Sequence, residues 1–256
     1  MRRGAAHTAR LGGLEGVARA KGELVEALGP AGVAVLNADD ARVSAMAART
    51  AARVLTYGSA PGADVRVGAV RLDDRARPRF TVHTPWGTTD VELAVSGAHM
   101  ALNAAAAIAA AGTLGVAADV AAAALATATV TEGRMQVLTA PGGAVVVNDA
   151  YNANPTSAVA GLDAIAAMPA HRRVAVLGLM AEIEDPATGH ELVAAHAARL
   201  GIEVVAVAVD LYGVPPVQNP ILALGPLGPG DVVLVKGSLV AGLQPVAQRL
   251  AAGAGV

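Results

Sequence analysis

The run Asn148-Asp149-Ala150-Tyr151-Asn152-Ala153-Asn154-Pro155-Thr156-Ser157 follows directly on the apolar stretch Val145-Val146-Val147. An apolar run that breaks off into Asn and Asp and then into Asn-Pro reads as the C-terminal end of a buried strand with a helix behind it. Pro155 suits the first helical position because its missing N–H is one a helix start leaves unpaired anyway, and Asn154 or Asn152 can supply the capping oxygen. In α/β proteins ligands gather at that edge of the sheet, where free helix amides favour anions, and a carboxylate such as Asp149 suits ribose hydroxyls. The same residues would also make an ordinary capped turn with no ligand.

Working outward, strands are predicted at Gln136 to Thr139 and Val145 to Asn148, joined by the turn Pro141-Gly142-Gly143. A helix from about Pro155 to Met168 comes next, then a strand Arg173 to Leu177 and a helix from about Pro186 to Leu200. Strands Glu203 to Val209 and Asp231 to Val235 follow, with a last helix from Leu239 to Leu250. Strands and helices alternating at these lengths call for a mainly parallel, Rossmann-like sheet covered on both faces. The stretch Leu211 to Gly230, rich in Pro and Gly, gives no definite element. A dinucleotide-type dehydrogenase is excluded, because Val174-Ala175-Val176-Leu177-Gly178 continues without a Gly-x-Gly-x-x-Gly turn.

Upstream, Val33 to Leu36, the turn Asn37-Ala38-Asp39-Asp40, a helical pattern to Thr50 and a strand Arg53 to Tyr57 read as a strand-helix-strand unit with parallel strands. Period-2 alternation in Val65-Arg66-Val67, Arg79 to His83 and Thr89 to Leu93, with Pro85-Trp86-Gly87 as a turn, predicts a small antiparallel ribbon with one wet face. Helices resume at Gly97 and run to about Ala126 with a break near Gly112 to Ala117. The β-branched and glycine residues of Thr129 to Gly133 mark a boundary, giving domains 1–132 and 133–256.

The 19 Lys+Arg and 21 Asp+Glu, a formal charge of -2 without long blocks of either sign, exclude nucleic acid and anionic membranes as partners. With no cysteine in the chain, disulfides, thiolate nucleophiles and zinc-thiolate sites are excluded. The apolar stretch Ala104 to Val130 is mostly alanine and is interrupted by Asp119, so it reads as close-packed helices and not as a membrane span. With no signal-peptide h-region at the N-terminus, the chain is expected to be cytoplasmic.

Three blocks in order, Asp149-Ala150-Tyr151-Asn152-Ala153-Asn154-Pro155, Gly178-Leu179-Met180-Ala181-Glu182 and Lys236-Gly237-Ser238, resemble the C-terminal domain of the D-alanyl-D-alanine-adding branch of the Mur ligases. Gly97-Ala98-His99-Met100-Ala101-Leu102-Asn103-Ala104 is similar to the family's Gly-x-His-x-x-x-Asn-Ala helix, and Gly133-Arg134-Met135 to its hinge. The stretch from Ala5-Ala6-His7 through Lys21 to Asp40 is similar to the end of its central ATPase domain. The resemblance thus implies a partial central ATPase domain followed by a Rossmann-like ligase domain.

It further implies ATP and Mg2+ as cofactors. Lys21 would be the lysine carried as a carbamate, a catalytic group that also helps hold magnesium, and His7 would ligate the same ion. Asn103 would face adenine, Arg134 the phosphates and ribose, and Asp149 the ribose. Asn152, Asn154, Ser157, Glu182 and Ser238 would face the substrates, with Glu182 near an ammonium and Lys236 catalytic near a carboxylate or phosphoryl group. Read without the family, Lys21 is a solvated helix residue near Glu23 and Glu26, Asn103 a buried hydrogen-bonded polar group, Arg134 a salt-bridge partner and His99 a structural residue. His190 and His196, six apart, lack metal-pair spacing and read as surface histidines.

Two departures stand out: Leu239 occupies the place of the family's usual arginine after Lys-Gly-Ser, and Leu179 that of a commonly acidic residue. No Gly-x-x-Gly-Lys-Thr loop, whose amides would cradle ATP phosphates, occurs in the 256 residues. The resemblance implies an amide ligase joining D-alanyl-D-alanine to UDP-N-acetylmuramoyl tripeptide through an acyl phosphate, inactive in this N-terminally truncated form. The alternative is a non-catalytic nucleotide-binding or interaction remnant. An incomplete central sheet would leave an apolar edge for a partner or oligomer.

Overall fold

The computed structural model describes residues 12–253. They fall into two compact units, the first comprising residues 12–73 and 77–129, the second residues 130–253 together with 74–76.

In the first unit, helix α1 (Gly13–Glu26) precedes strand β1 (Val33–Asn37), the short helix α2 (Ala41–Ala45) with a 3-10 turn (Met46–Arg49), and β2 (Arg53–Gly58). Asp40 starts α2: its carboxylate accepts the N–H groups of Arg42 and Val43, the free amides that a helix start presents. β1 and β2 pair in parallel, from Val33 opposite Arg53 to Asn37 opposite Tyr57. Next come β3 (Val65–Val67), β4 (Arg71–Leu72), β5 (Pro78–Thr84) and β6 (Gly87–Glu92). The predicted ribbon is not separate, because β3 pairs with β2 in parallel and with β5 antiparallel. One six-stranded sheet results, ordered β1-β2-β3-β5-β4 with β6 on β5.

Its core follows from the alternation. Phe80, Val82 and Val91 pack with Val65 and Val67 against Ala101, Ala104, Ala105, Ile108 and Ala109 of helix α3 (Met100–Thr113), and α4 (Ala118–Ala126) adds Ala118, Ala121 and Ala122. Alanine and glycine permit this close approach; a Cβ on Gly112 would lie 2.2 Å from Trp86 Cζ3 at the hairpin tip. Elsewhere in the unit Ala34, Leu36 and Met46 pack with Val25 of α1. β1 has no neighbour on its outer side among the described residues. At its end the buried Asn37 Nδ2 lacks a hydrogen-bond partner.

The second unit holds β7 (Gln136–Thr139), β8 (Val145–Asp149), α5 (Pro155–Ala167), β9 (Arg172–Leu177), α6 (Pro186–Arg199), β10 (Glu203–Ala206), α7 (Pro220–Leu224), β11 (Asp231–Lys236) and α8 (Gln244–Ala251). The strand order is β10-β9-β11-β8-β7, parallel except for β7, which runs antiparallel to β8. Three expectations are corrected. β10 ends at Ala206, because Val207 bridges instead to Val217. The stretch without definite structure contains α7, capped by Asn219, whose side chain accepts the Ile221 and Leu222 N–H groups. The last predicted helix is a 3-10 turn at Leu239–Ala241, broken by Gly242 in a left-handed conformation, before α8.

One set of strand side chains, Val146, Val174, Val176, Val233 and Val235, packs with Ile221 and Leu224 of α7 and Ala247 and Leu250 of α8. The opposite set, including Leu234 and Lys236, lies toward α5, where a Cβ on Gly161 would sit 3.2 Å from Leu234 Cδ2 and 3.7 Å from Lys236 Cδ. No helix of the described residues is long and apolar enough to cross a membrane.

Candidate functional site

β11 enters the second sheet last in sequence, between β9 and β8. The chain leaves β8 and β9 toward α5 and α6 on one face, and leaves β11 toward α8 on the other. The C-terminal end of β11 is therefore the topological switch point, the place at which open α/β sheets bind ligands. The loops bordering it are Ala150–Asn154, Gly178–Glu182 and Gly237–Gly242, the three blocks singled out in the sequence.

Lys236 Nζ donates to Asp149 Oδ2 at 2.6 Å and to the Asn152 carbonyl at 2.9 Å. The other carboxylate oxygen, Asp149 Oδ1, accepts the Met135 N–H at 3.0 Å. The Lys236 and Asp149 side chains are only 2% and 13% exposed, so each charge depends on the other for the solvation it has lost. Lys236 is thus held by the protein itself, tying the ends of β8 and β11 to the Asn152 loop.

Ser238 is placed likewise. Its N–H donates to the Leu179 carbonyl at 2.9 Å, its Oγ accepts the Ala181 N–H at 2.9 Å, and its hydroxyl donates to the Ala153 carbonyl at 3.4 Å. At 4% exposure it joins three loops and does not face outward.

The reading of His190 as a surface residue is corrected: it is fully buried. Its Nε2 accepts the Met180 N–H at 3.1 Å, and its Nδ1 lies 2.5 Å from the Pro186 carbonyl. A carbonyl only accepts, so Nδ1 carries the proton and the ring is neutral, in keeping with a pKa that burial pushes down. The ring meets Tyr212 edge-to-face at 4.9 Å. The Tyr212 hydroxyl donates to the Gly178 carbonyl at 2.8 Å, and burial drives its pKa upward. Consecutive backbone groups from Gly178 to Ala181 are therefore held by Tyr212, Ser238 and His190, which fixes the loop that presents Leu179 and Glu182. His196 is only partly buried and bonds Asp163 Oδ1 through Nε2 at 2.7 Å, linking α6 to α5.

Asn154 and Ser157 form a reciprocal cap on α5: Asn154 Oδ1 accepts the Ser157 N–H at 2.9 Å, and Ser157 Oγ accepts the Asn154 N–H at 3.1 Å. The capped-turn reading of the sequence is thus realised in these two residues. Asn152 Oδ1 accepts the Ala153 N–H at 2.8 Å. The Arg134 guanidinium lies over the Tyr151 ring at 4.1 Å, and among the described residues it makes no salt bridge. Glu182 is partly buried and has an interaction partner.

In the first unit Lys21 is exposed on α1 and Asn103 exposed on α3; the expectation of a buried Asn103 is corrected, its Nδ2 reaching only Met100 Sδ at 3.3 Å. His99 sits at the start of α3 with its ring over Gly97, where a Cβ would lie 2.5 Å from His99 Cε1. His7 lies outside the described residues. A shallow groove of about 500 Å³ runs between α1 and α2, but Arg42 and Arg49 on its wall pair with Glu15 and Glu26. No three His, Cys, Asp or Glu side chains gather into a metal-binding group among the described residues.

Nothing local in the sequence marks the buried role of His190 or Tyr212, which lies in the stretch that gives no definite element, whereas Tyr151 is an aromatic residue of the quoted block beside a predicted sheet edge.

Residues 4–111 match the Mur ligase middle domain and residues 133–218 the domain described as Mur ligase, glutamate ligase domain. The UDP-N-acetylmuramoyl-tripeptide--D-alanyl-D-alanine ligase of Mycobacterium bovis is 38% identical over 289 residues, covering 97% of this chain and 56% of that protein. The enzyme of the same name from Mycobacterium leprae is also 38% identical, covering 96% and 57%. Among solved structures, a MurF from Acinetobacter baumannii superposes with a TM-score of 0.84 at 27% identity, over 97% of this chain and 58% of that one. A MurF ligase from Thermotoga maritima, crystallised with ADP, gives 0.83 over 97% and 60%, and at 24% identity it is a likeness of fold. The chain spans a little over half the length of the curated relatives it matches.

Proposed function

The chain belongs to the Mur ligase family, and from that footing we propose that its residues serve the ATP-dependent joining of D-alanyl-D-alanine to UDP-N-acetylmuramoyl tripeptide, a step in making peptidoglycan precursors. The observation that carries this reading is the 38% identity to ligases of that name over 97% of the chain, with three of the matching blocks at the C-terminal end of the second sheet.

In this chemistry the tripeptide carboxylate takes a phosphoryl group from ATP. The amine of D-alanyl-D-alanine then attacks the acyl phosphate, so that a C–N bond forms, the C–O bond to phosphate breaks, and the amine gives up its proton. Side chains aimed at the developing charge are what such a site contributes. Arg134 would meet a phosphate. Asp149, although engaged by Lys236 and Met135, retains lone pairs at its partly exposed edge for a ribose hydroxyl. Glu182, on the fixed loop, would orient the incoming ammonium, and Asn152 would lie beside it. Lys236 and Ser238 would support these groups from beneath, as Asn154 and Ser157 do through the α5 cap.

Magnesium takes oxygen ligands. Lys21 offers one only as a carbamate, and the described residues gather no acidic or histidine cluster around it; as described they do not make a complete magnesium site.

A second reading, nucleotide binding without turnover, is favoured for these 256 residues by themselves, since they contain no Gly-x-x-Gly-Lys-Thr string. Calorimetric titration with ADP should give weak binding, and no heat at millimolar ADP would remove this second reading. Steady phosphate release that requires UDP-N-acetylmuramoyl tripeptide and D-alanyl-D-alanine would favour the ligase over the non-catalytic reading. Resonances of the Gly178–Glu182 loop should move on adding D-alanyl-D-alanine; if they do not, the substrate assignment fails.

A further inference from the structure

Arg134 is held by an aromatic face and by no anion. Its guanidinium carbon stands 4.1 Å from the Tyr151 ring centroid, and among the described residues no acceptor is hydrogen-bonded to that guanidinium. Two acids close to it along the chain or the hinge backbone are already engaged: Glu132, two residues before, accepts from Gln248 Nε2 at 2.5 Å, and Asp149, which accepts the Met135 N–H, is paired with Lys236. A guanidinium carries five N–H donors in a fixed planar fork, a geometry that matches phosphate oxygens.

The backbone that carries the ring is anchored on both sides. The Tyr151 N–H donates to the Gly133 carbonyl at 3.0 Å. Gly133 has a φ of +76°, and a Cβ there would lie 3.2 Å from the Tyr151 nitrogen, so the turn that carries Arg134 meets the Tyr151 backbone closely. On the far side of Tyr151, Lys236 Nζ holds the Asn152 carbonyl at 2.9 Å, and Asn154 is locked in the α5 cap. The backbone that carries the ring is thus anchored, and the ring lies beneath the guanidinium.

We infer that Tyr151 is a positioning residue that preorients Arg134 as a receptor for a phosphate group, whether free pyrophosphate or the phosphates of a nucleoside diphosphate. The nucleotide as ligand rests on the function proposed above; the receptor itself does not. A bidentate, charge-assisted contact from a guanidinium already in place avoids the cost of immobilising a long side chain on binding.

The test compares wild type, Tyr151→Phe, Tyr151→Leu and Arg134→Ala, with ADP and inorganic pyrophosphate as probes. Two quantities are read: the Arg134 Nε–H resonance in the free protein, which the ring shifts upfield, and the affinity for each probe. Tyr151→Phe keeps the ring and should retain both the shift and the affinity. Tyr151→Leu should abolish the ring shift and weaken both probes by about two- to fivefold, the range of an exposed cation–π contact. Arg134→Ala should weaken them further.

Unchanged affinity in Tyr151→Leu overturns the inference, as does equal weakening in Tyr151→Phe, which would assign the effect to the hydroxyl. If pyrophosphate moves the Arg134 resonance in wild type and ADP binds no better than pyrophosphate, the nucleotide reading fails while the receptor stands. If neither probe moves that resonance, the receptor fails as well. Retention of the Met180 and Ala181 amide shifts shows that each variant is folded around His190 and Ser238.

Discussion

Replacing Lys236 by methionine removes an ammonium while leaving most of its volume beneath α5. In the native protein that ammonium makes two hydrogen bonds, to Asp149 Oδ2 and the Asn152 carbonyl, and the pair is 2% and 13% exposed. Without it, Asp149 keeps a single backbone donor, the Met135 N–H, and its charge stands largely uncompensated away from water. Breaking a buried pair from one side costs about 3–5 kcal/mol, and the orphaned Asn152 carbonyl adds about 1 kcal/mol. Lys236→Met is therefore expected to lose about 4–6 kcal/mol, a large part of the stability of a domain of this size. The double variant Asp149→Asn with Lys236→Met removes both charges and keeps an acceptor for Met135, and should recover most of that loss, leaving about 1–2 kcal/mol. Urea unfolding followed by circular dichroism, with hydrogen exchange at the β8 and β11 amides to localise the change, measures both. A loss below about 1 kcal/mol in the single variant, or a double variant as unstable as the summed singles, would refute the pairing as a buried, mutually dependent one.

Gly112→Ala places a methyl 2.2 Å from Trp86 Cζ3; although alanine favours helix, the indole must move, so a loss of about 1–3 kcal/mol is expected. As Trp86 is the sole tryptophan, a red-shifted emission reports the displacement, and unchanged emission with higher stability would contradict the contact. His190 has its pKa lowered from 6.5 by burial, so as pH falls the unfolded chain takes up this proton first. Its contribution to stability is complete above pH 6.5 and is lost as pH drops toward the folded value. Urea midpoints at pH 7.5 and 5.5 should show this loss in wild type and a smaller one in His190→Gln; equal slopes would count against a neutral buried ring. Asn154→Ala removes one half of the α5 cap and should cost about 1 kcal/mol, read as a lower melting temperature, whereas no change would mean that water replaces the cap without loss.

Much of the second unit was legible because its signals are local. The rhythm of Val145 to Leu177, Asn154-Pro155 as a helix start, and the absence of a Gly-x-Gly turn at Gly178 can each be judged within a few residues, since backbone propensity and capping act over one helical turn. In the first unit the period-2 runs gave the strands, but β3 was invisible as the joint between parallel and antiparallel halves, because pairing direction is a property of two segments together.

The site was readable as a set of residues and not as an arrangement. The sequence by itself determined which loops carry polar chemistry and that they follow sheet strands. Only the tertiary structure decided that Lys236 meets Asp149 across 87 positions, that Ser238 faces inward to join three loops, that His190 is buried and neutral, and that Arg134 rests on Tyr151. The physical reason is strand order: β11, last in the chain, enters between β9 and β8. That choice, made by long-range packing, settles which polar atoms satisfy one another and which are left facing a ligand.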